Sequence, residues 1–118
     1  MINIPGVELA LKVQECGRVS GRTHAKFEEV GLTPKPSKKL KTPIVEECLA
    51  HLECKLFKSL EVGDHTFFVG RVVEAYADEK VFKRGVFDLN KAKILYHVGG
   101  SSFTTLSDCL LNGGDVSA

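Results

Sequence analysis

The sequence predicts a mainly β, antiparallel barrel or sandwich with two short helices. Three observations lead there. Strand-like runs concentrate after Pro43, helical spacing appears only in two short stretches before Thr33, and the turn pair Gly63-Asp64 joins the two longest strand-like runs. With 118 residues and no internal repeat or low-complexity tract, the chain is read as one domain.

Pro5 suits the first turn of a helix, where its missing N–H costs nothing, and Val7, Ala10, Leu11 and Gln14 then recur at helical spacing until Gly17. A helix is expected over 6–16. Thr23 is placed to cap a second one, His24 to Val30, which Gly31 would end as a left-handed cap with Leu32 packing back. Strands are expected at about 44–47, 51–60, 65–77, 93–97 and 102–105. Asp78 to Asn90 connects two of them and carries an apolar patch, Val81-Phe82 and Val86-Phe87. Leu52, Cys54 and Leu56 alternate with Glu53 and Lys55, which predicts a half-buried strand with the first three facing the core. That strand and the run from Thr66 to Tyr76 form a hairpin, with His65 at the mouth of its turn. The small, polar end from Leu111 to Ala118 is expected to fray.

A net charge of +1 leaves no global field to attract nucleic acid or an anionic membrane. The local basic run from Lys35 to Lys41 lies among Pro34, Pro36 and Pro43 and reads as a solvated connecting loop. No apolar run is long enough to span a bilayer, and Met1-Ile2-Asn3-Ile4-Pro5 is not a signal peptide, so a soluble, cytoplasmic protein is expected. Cys16, Cys48, Cys54 and Cys109 are scattered, with no metal-site spacing, and read as reduced structural thiols. Cys54 in particular reads as a small core residue.

Four stretches in order carry a resemblance: Ile2-Asn3-Ile4-Pro5; Ser20-Gly21-Arg22 followed by Lys26-Phe27-Glu28; Leu32-Thr33-Pro34 leading into Pro43-Ile44-Val45-Glu46-Glu47; and Gly63-Asp64-His65 with Gly70. Together they resemble the flavin reductase-like family with its FMN-binding, Greek-key-like split β-barrel, over residues 2 to 104. Tyr96-His97-Val98-Gly99-Gly100 resembles the family's closing strand and turn. Family members carry two or three strands before the segment like Ile2-Asn3-Ile4-Pro5, so the chain corresponds to the C-terminal two thirds of the usual domain, through a truncation or a start codon assigned too late. A barrel without those strands would expose unpaired edges, so dimerisation is a physical expectation. The resemblance implies the same homodimer, with flavin near its interface.

The resemblance also implies roles for particular residues. A histidine placed like His65 lies near the flavin and the nicotinamide, where it would position the hydride donor or a proton; it could equally cap its own turn. Ser20, Arg22 and Lys26 stand at a glycine-containing turn before a helix, which offers N–H groups and positive charge to a phosphate. The alternative is an ordinary capped loop with two solvated bases. The family's basic residue and following phenylalanine at the flavin phosphate match Lys26 and Phe27, while Ala25 stands where relatives often have aspartate. Asn3 would run toward the cofactor or cap the first helix. Three functions follow as expectations: an oxidoreductase passing electrons from NADH or NADPH through FMN to flavin, iron or a protein acceptor; a flavodoxin-like FMN electron carrier without its own NAD(P)H activity; or a dimerising barrel module that binds no flavin.

Overall fold

The computed structural model describes residues 1–111 and 113–114. Strand β1 (Ile2–Ile4) leads through a 3-10 turn at Val7–Leu9 into helix α1 (Ala10–Arg18), and α2 (Lys26–Val30) follows. Then come β2 (Pro34–Lys35), β3 (Ile44–Val45), β4 (Ala50–Val62), β5 (His65–Ala77), β6 (Phe82–Lys83), β7 (Val86–Phe87), β8 (Tyr96–Gly99) and β9 (Ser102–Thr104). The described sheets are antiparallel: β1-β4-β5, and the pairs β2-β3, β6-β7 and β8-β9. The mainly β, two-helix expectation holds.

Several boundaries differ from the sequence reading, each for a local reason. Helix α1 begins later than expected and runs through Gly17 to Arg18. Its last turn is held by Arg18 on Glu15 at 3.1 Å and by Lys26 Nζ donating to the Cys16 carbonyl at 2.7 Å. Thr23 does not cap α2: its hydroxyl turns back to the Ser20 carbonyl, and the helix starts two residues after His24. Gly31 does end α2 in the left-handed region, at φ +79°, with the Leu32 N–H also returning to the Phe27 carbonyl. The connection 78–90 contains a hairpin of its own, in which the Phe82 and Phe87 rings meet edge to face at 5.0 Å. The expected strand at 93–97 is displaced to Tyr96–Gly99. The expectation for the tail covers Leu111 to Ala118, of which residues 112 and 115–118 lie outside the described residues.

The β4-β5 hairpin dominates. Thirteen residues per strand give an arm about 40 Å long at the usual rise per residue. The radius of gyration is 16.4 Å, against about 13.5 Å for a compact domain of this length. The small core of Leu9, Ile44, Ala50 and Ala92 lies at the end of the hairpin that pairs with β1. Toward the tip, Leu56, Phe57, Leu60, Val62, Phe67 and Phe68 are exposed.

The register shifts twice along the hairpin: Val73 is the extra residue on β5 opposite Glu53 and Cys54, and Phe57 is the extra residue on β4 between Leu56 and Lys58. The expected alternation is wrong for another reason, the crossing of residues 38–40 over the face opposite Leu52: Glu53 is fully buried, Cys54 is half-buried and Leu56, further toward the tip, is exposed. At Gly70 a side chain would place its Cβ 3.0 Å from the Cys54 Cβ, so glycine permits the close strand approach there.

Candidate functional site

His65 opens β5 opposite Val62, and the positive φ of Gly63, +61°, makes the two-residue turn between them possible. Its Nδ1 lies 2.6 Å from Asp64 Oδ1, and both side chains stand in solvent at the tip of the arm. Asn3 belongs to the opposite end, where β1 pairs with the start of β4. Tyr76, opposite His51, is eleven residues along β5 from His65, which is about 36 Å of strand. Within one chain His65 and Asn3 do not meet.

Ser20, Arg22, Lys26 and Phe27 gather at the corner between the helices. The Ser20 hydroxyl accepts from the Arg22 N–H at 3.2 Å, and the Ser20 carbonyl accepts from the N–H groups of Thr23 and His24. Lys26 spends one donor on Cys16 and packs beside α1, while Arg22 is exposed. The half-buried Phe27 lends its carbonyl to the Gly31 cap.

The densest polar cluster was missed by the sequence reading. Asn3 Oδ1 accepts from the Val45 N–H at 3.1 Å and lies 2.8 Å from His51 Nδ1, so Asn3 caps no helix. The buried His51 ring sits 5.3 Å from the Tyr76 ring, and Lys38 Nζ lies over that ring at 4.3 Å. Tyr76 donates its hydroxyl to Glu53 at 2.7 Å. Glu53 also accepts from the N–H groups of Lys38, Lys39 and Leu40 at 2.8, 2.8 and 3.0 Å. The basic run is thus no free loop: a buried carboxylate anchors its middle. Lys39 fastens it further, its Nζ reaching the Val73 carbonyl at 3.1 Å and Glu74 at 3.4 Å.

The electrostatics follow from these contacts. Burial alone would push the Glu53 carboxyl up, but four hydrogen bonds outweigh it and hold the group at about 2. Burial and the Glu53 carboxylate together push the Tyr76 hydroxyl up to about 12. Burial, helped by Lys35, lowers the His51 pKa against the opposing pull of Glu53, which favours the neutral ring. A cavity of about 610 Å³ opens beside it, lined by Lys35, Glu46, Cys48, His51, Tyr76 and residues 77–80. Burial pushes the Cys48 thiol up to about 11. All four cysteines are free, and no group of three or more metal-ligating side chains forms among the described residues. No described helix is long and apolar enough to cross a membrane.

Local sequence signals could not have located this cluster. A glutamate flanked by Leu52 and Cys54 reads as outward-facing, and only the fold of residues 36–41 across the sheet buries it. His51 carries no motif; its one hint is an imidazole in a strand whose neighbours Ala50 and Leu52 are apolar.

Comparison with known proteins is consistent with this architecture. An uncharacterised protein of Archaeoglobus fulgidus is 38% identical over 107 residues, covering 91% of this chain and 60% of that protein. A ferric-chelate reductase (NAD(P)H) of the same organism is 31% identical over 90 residues, covering 67% of this chain and 53% of the reductase. The chain therefore spans little more than half the length of these relatives. Flavoredoxin of Desulfovibrio vulgaris (Miyazaki F) superposes with a TM-score of 0.83 at 26% identity, covering 99% of this chain and 63% of flavoredoxin. The model of the flavin reductase like domain matches residues 2–105, and the chain belongs to that family, with its FMN-binding split-barrel fold.

Proposed function

We propose that this chain is an FMN-binding oxidoreductase that takes electrons from NADH or NADPH and passes them to free flavin, iron or a protein acceptor, working as a homodimer. The observation that carries the reading is the family match over 2–105, which runs through the helix corner, the core and the arm together. The ferric-chelate reductase relative supports an iron acceptor and a nicotinamide donor.

The donor set at the helix corner suits a phosphate ester. Arg22 is exposed there, Lys26 keeps ammonium protons beyond the one given to Cys16, and the turn around Gly21 is open. Phe27 and Ser20 would shape the same corner. When bound, FMN supplies hydride acceptance and onward electron delivery. Asn3 would orient the inner wall from its place beside β3. An arm with this many exposed apolar side chains calls for a second copy to cover it. Such a pairing would carry His65 of one protomer toward the other's flavin, where its imidazole would hold or relay a proton.

The test is gel filtration after mixing with excess FMN, followed by anaerobic addition of NADPH or NADH. A flavin spectrum retained on a dimer-sized peak and bleached by the nicotinamide is expected. Retained flavin that is not bleached would replace the enzyme with an electron carrier, and a colourless peak would leave a dimerising module without flavin. Arg22→Ala with Lys26→Ala should weaken FMN binding, and His65→Ala should slow bleaching with occupancy unchanged.

A further inference from the structure

The hydrogen bonds around Asn3 settle which nitrogen of His51 carries its proton. The Val45 N–H can only donate, so the atom of Asn3 that it meets at 3.1 Å must be the carbonyl oxygen. That oxygen can only accept, so His51 Nδ1, 2.8 Å away, must carry a hydrogen. In the neutral ring Nε2 is then an unprotonated acceptor, on a residue that is only 6% exposed. The two nitrogens lie on opposite sides of the imidazole, so with Nδ1 on Asn3, Nε2 points away from Asn3. His51 belongs to the wall of the 610 Å³ cavity and Asn3 does not. Nε2 has no hydrogen-bond partner among the described residues, and the one fully sealed side-chain nitrogen or oxygen there that lacks a partner is the Thr105 hydroxyl. Nε2 therefore keeps open surface, and the cavity is the space its ring borders.

The rest of the wall divides by depth. Ile44, Cys48, His51, Tyr76 and Ala77 are buried or half-buried and form its inner part. This part is uncharged: burial keeps Cys48 a thiol and His51 a neutral ring, and the Tyr76 hydroxyl is spent on Glu53 at 2.7 Å. Lys35, Glu46, Asp78, Glu79 and Lys80 are exposed and form the rim, three carboxylates against two ammonium groups. Water screens charges placed like these, so their near balance selects little. Selection falls to the inner wall, which is aliphatic and aromatic and offers one strong side-chain acceptor, Nε2. A buried acceptor is costly to leave without a donor. A cavity of this size takes a small organic molecule, here one that fills it with apolar surface and brings a donor.

We propose that this cavity binds a neutral, mainly apolar small molecule with a single hydroxyl or N–H, such as a phenol, which donates to His51 Nε2 while its ring packs against Tyr76 and Ile44. No residue of the helix corner assigned to FMN lines the cavity, and the proposal stands without that assignment. Phenol and anisole, its methyl ether, are the probes. Nitrogen-15 NMR of the full chain, free of flavin, should show His51 as the Nδ1–H tautomer. Phenol should move the Nε2 resonance, and anisole, which has no hydrogen to donate, should leave it nearly in place. The ratio of phenol to anisole affinity should fall about tenfold in His51→Phe, the worth of one hydrogen bond. Comparing ratios cancels the different cost of taking each probe out of water. Adding FMN should not displace phenol. The opposite tautomer in the free protein, an Nε2 resonance that phenol leaves unmoved or that anisole moves as far, an unchanged ratio in a folded His51→Phe protein, or displacement of phenol by FMN would overturn the proposal. The NMR measurements use the unaltered chain, so they decide the matter even where His51→Phe misfolds.

Discussion

Replacing Asn3 by alanine removes one oxygen that satisfies two donors in the part-buried interior, the Val45 N–H and His51 Nδ1–H. A buried donor left without a partner costs about 1–3 kcal/mol, so two of them, both near the edge of the core, put the loss at about 2–4 kcal/mol. That is a large share of the roughly 5–15 kcal/mol that holds a domain together. Urea unfolding followed by far-UV circular dichroism should show an earlier midpoint with an unchanged slope. Asn3→Asp keeps the shape and both acceptors while placing a carboxylate next to Nδ1. It should retain most of the stability at neutral pH and raise the His51 pKa in an NMR titration. In the native chain the His51 pKa is depressed, so its contribution is full above the ordinary value of 6.5 and declines as pH falls through it. The raised pKa in Asn3→Asp should reverse that dependence. An Asn3→Ala protein within about 0.5 kcal/mol of the parent would refute the reasoning, because the two donors would then be finding water or other partners.

Glu53 is held near 2 against an ordinary 4.5, so the stability it contributes is full above about pH 4.5 and is lost as pH falls toward 2. Acid titration by circular dichroism should show that loss, and Glu53→Gln should flatten it while freeing residues 38–40 to faster amide exchange. Cys48, with its thiol pushed up to about 11, should resist iodoacetamide at pH 8 while the exposed Cys109 is alkylated, as peptide mass mapping would report. Gly31→Ala should cost about 1 kcal/mol in the same urea assay, because the left-handed φ of +79° is strained for any side chain, although the nearest atom, Lys12 Nζ, would lie at an ordinary contact distance of 3.6 Å.

Elements governed by neighbouring residues were legible in the sequence. The glycine that ends α2, the two-residue turn at Gly63-Asp64 and the strand from His65 to Ala77 each rest on local backbone preference or on a run of β-favouring side chains. The strand ends and the helix start were misplaced by a few residues, because tertiary hydrogen bonds such as Lys26 on Cys16 decide them. The candidate residues at the helix corner were likewise readable as a group, since they lie within eight positions of each other.

The alternation in β4 shows where that legibility stops. Residues 38–40 cover the face that Glu53 occupies, and no single-strand pattern reveals a cover supplied by a distant segment. The burial of Glu53 depends on three backbone N–H groups more than a dozen residues earlier and a tyrosine 23 residues later. His51 acquires its tautomer from a side chain 48 residues away. The sequence by itself determined the fold class, the family and the local turns, because those follow from short-range preference and ordered motifs. Only the tertiary structure decided that the basic run is anchored, that Asn3 faces inward and that His65 lies about 36 Å of strand from it. Burial and hydrogen-bond pairing between distant segments exist only once the chain has closed on itself.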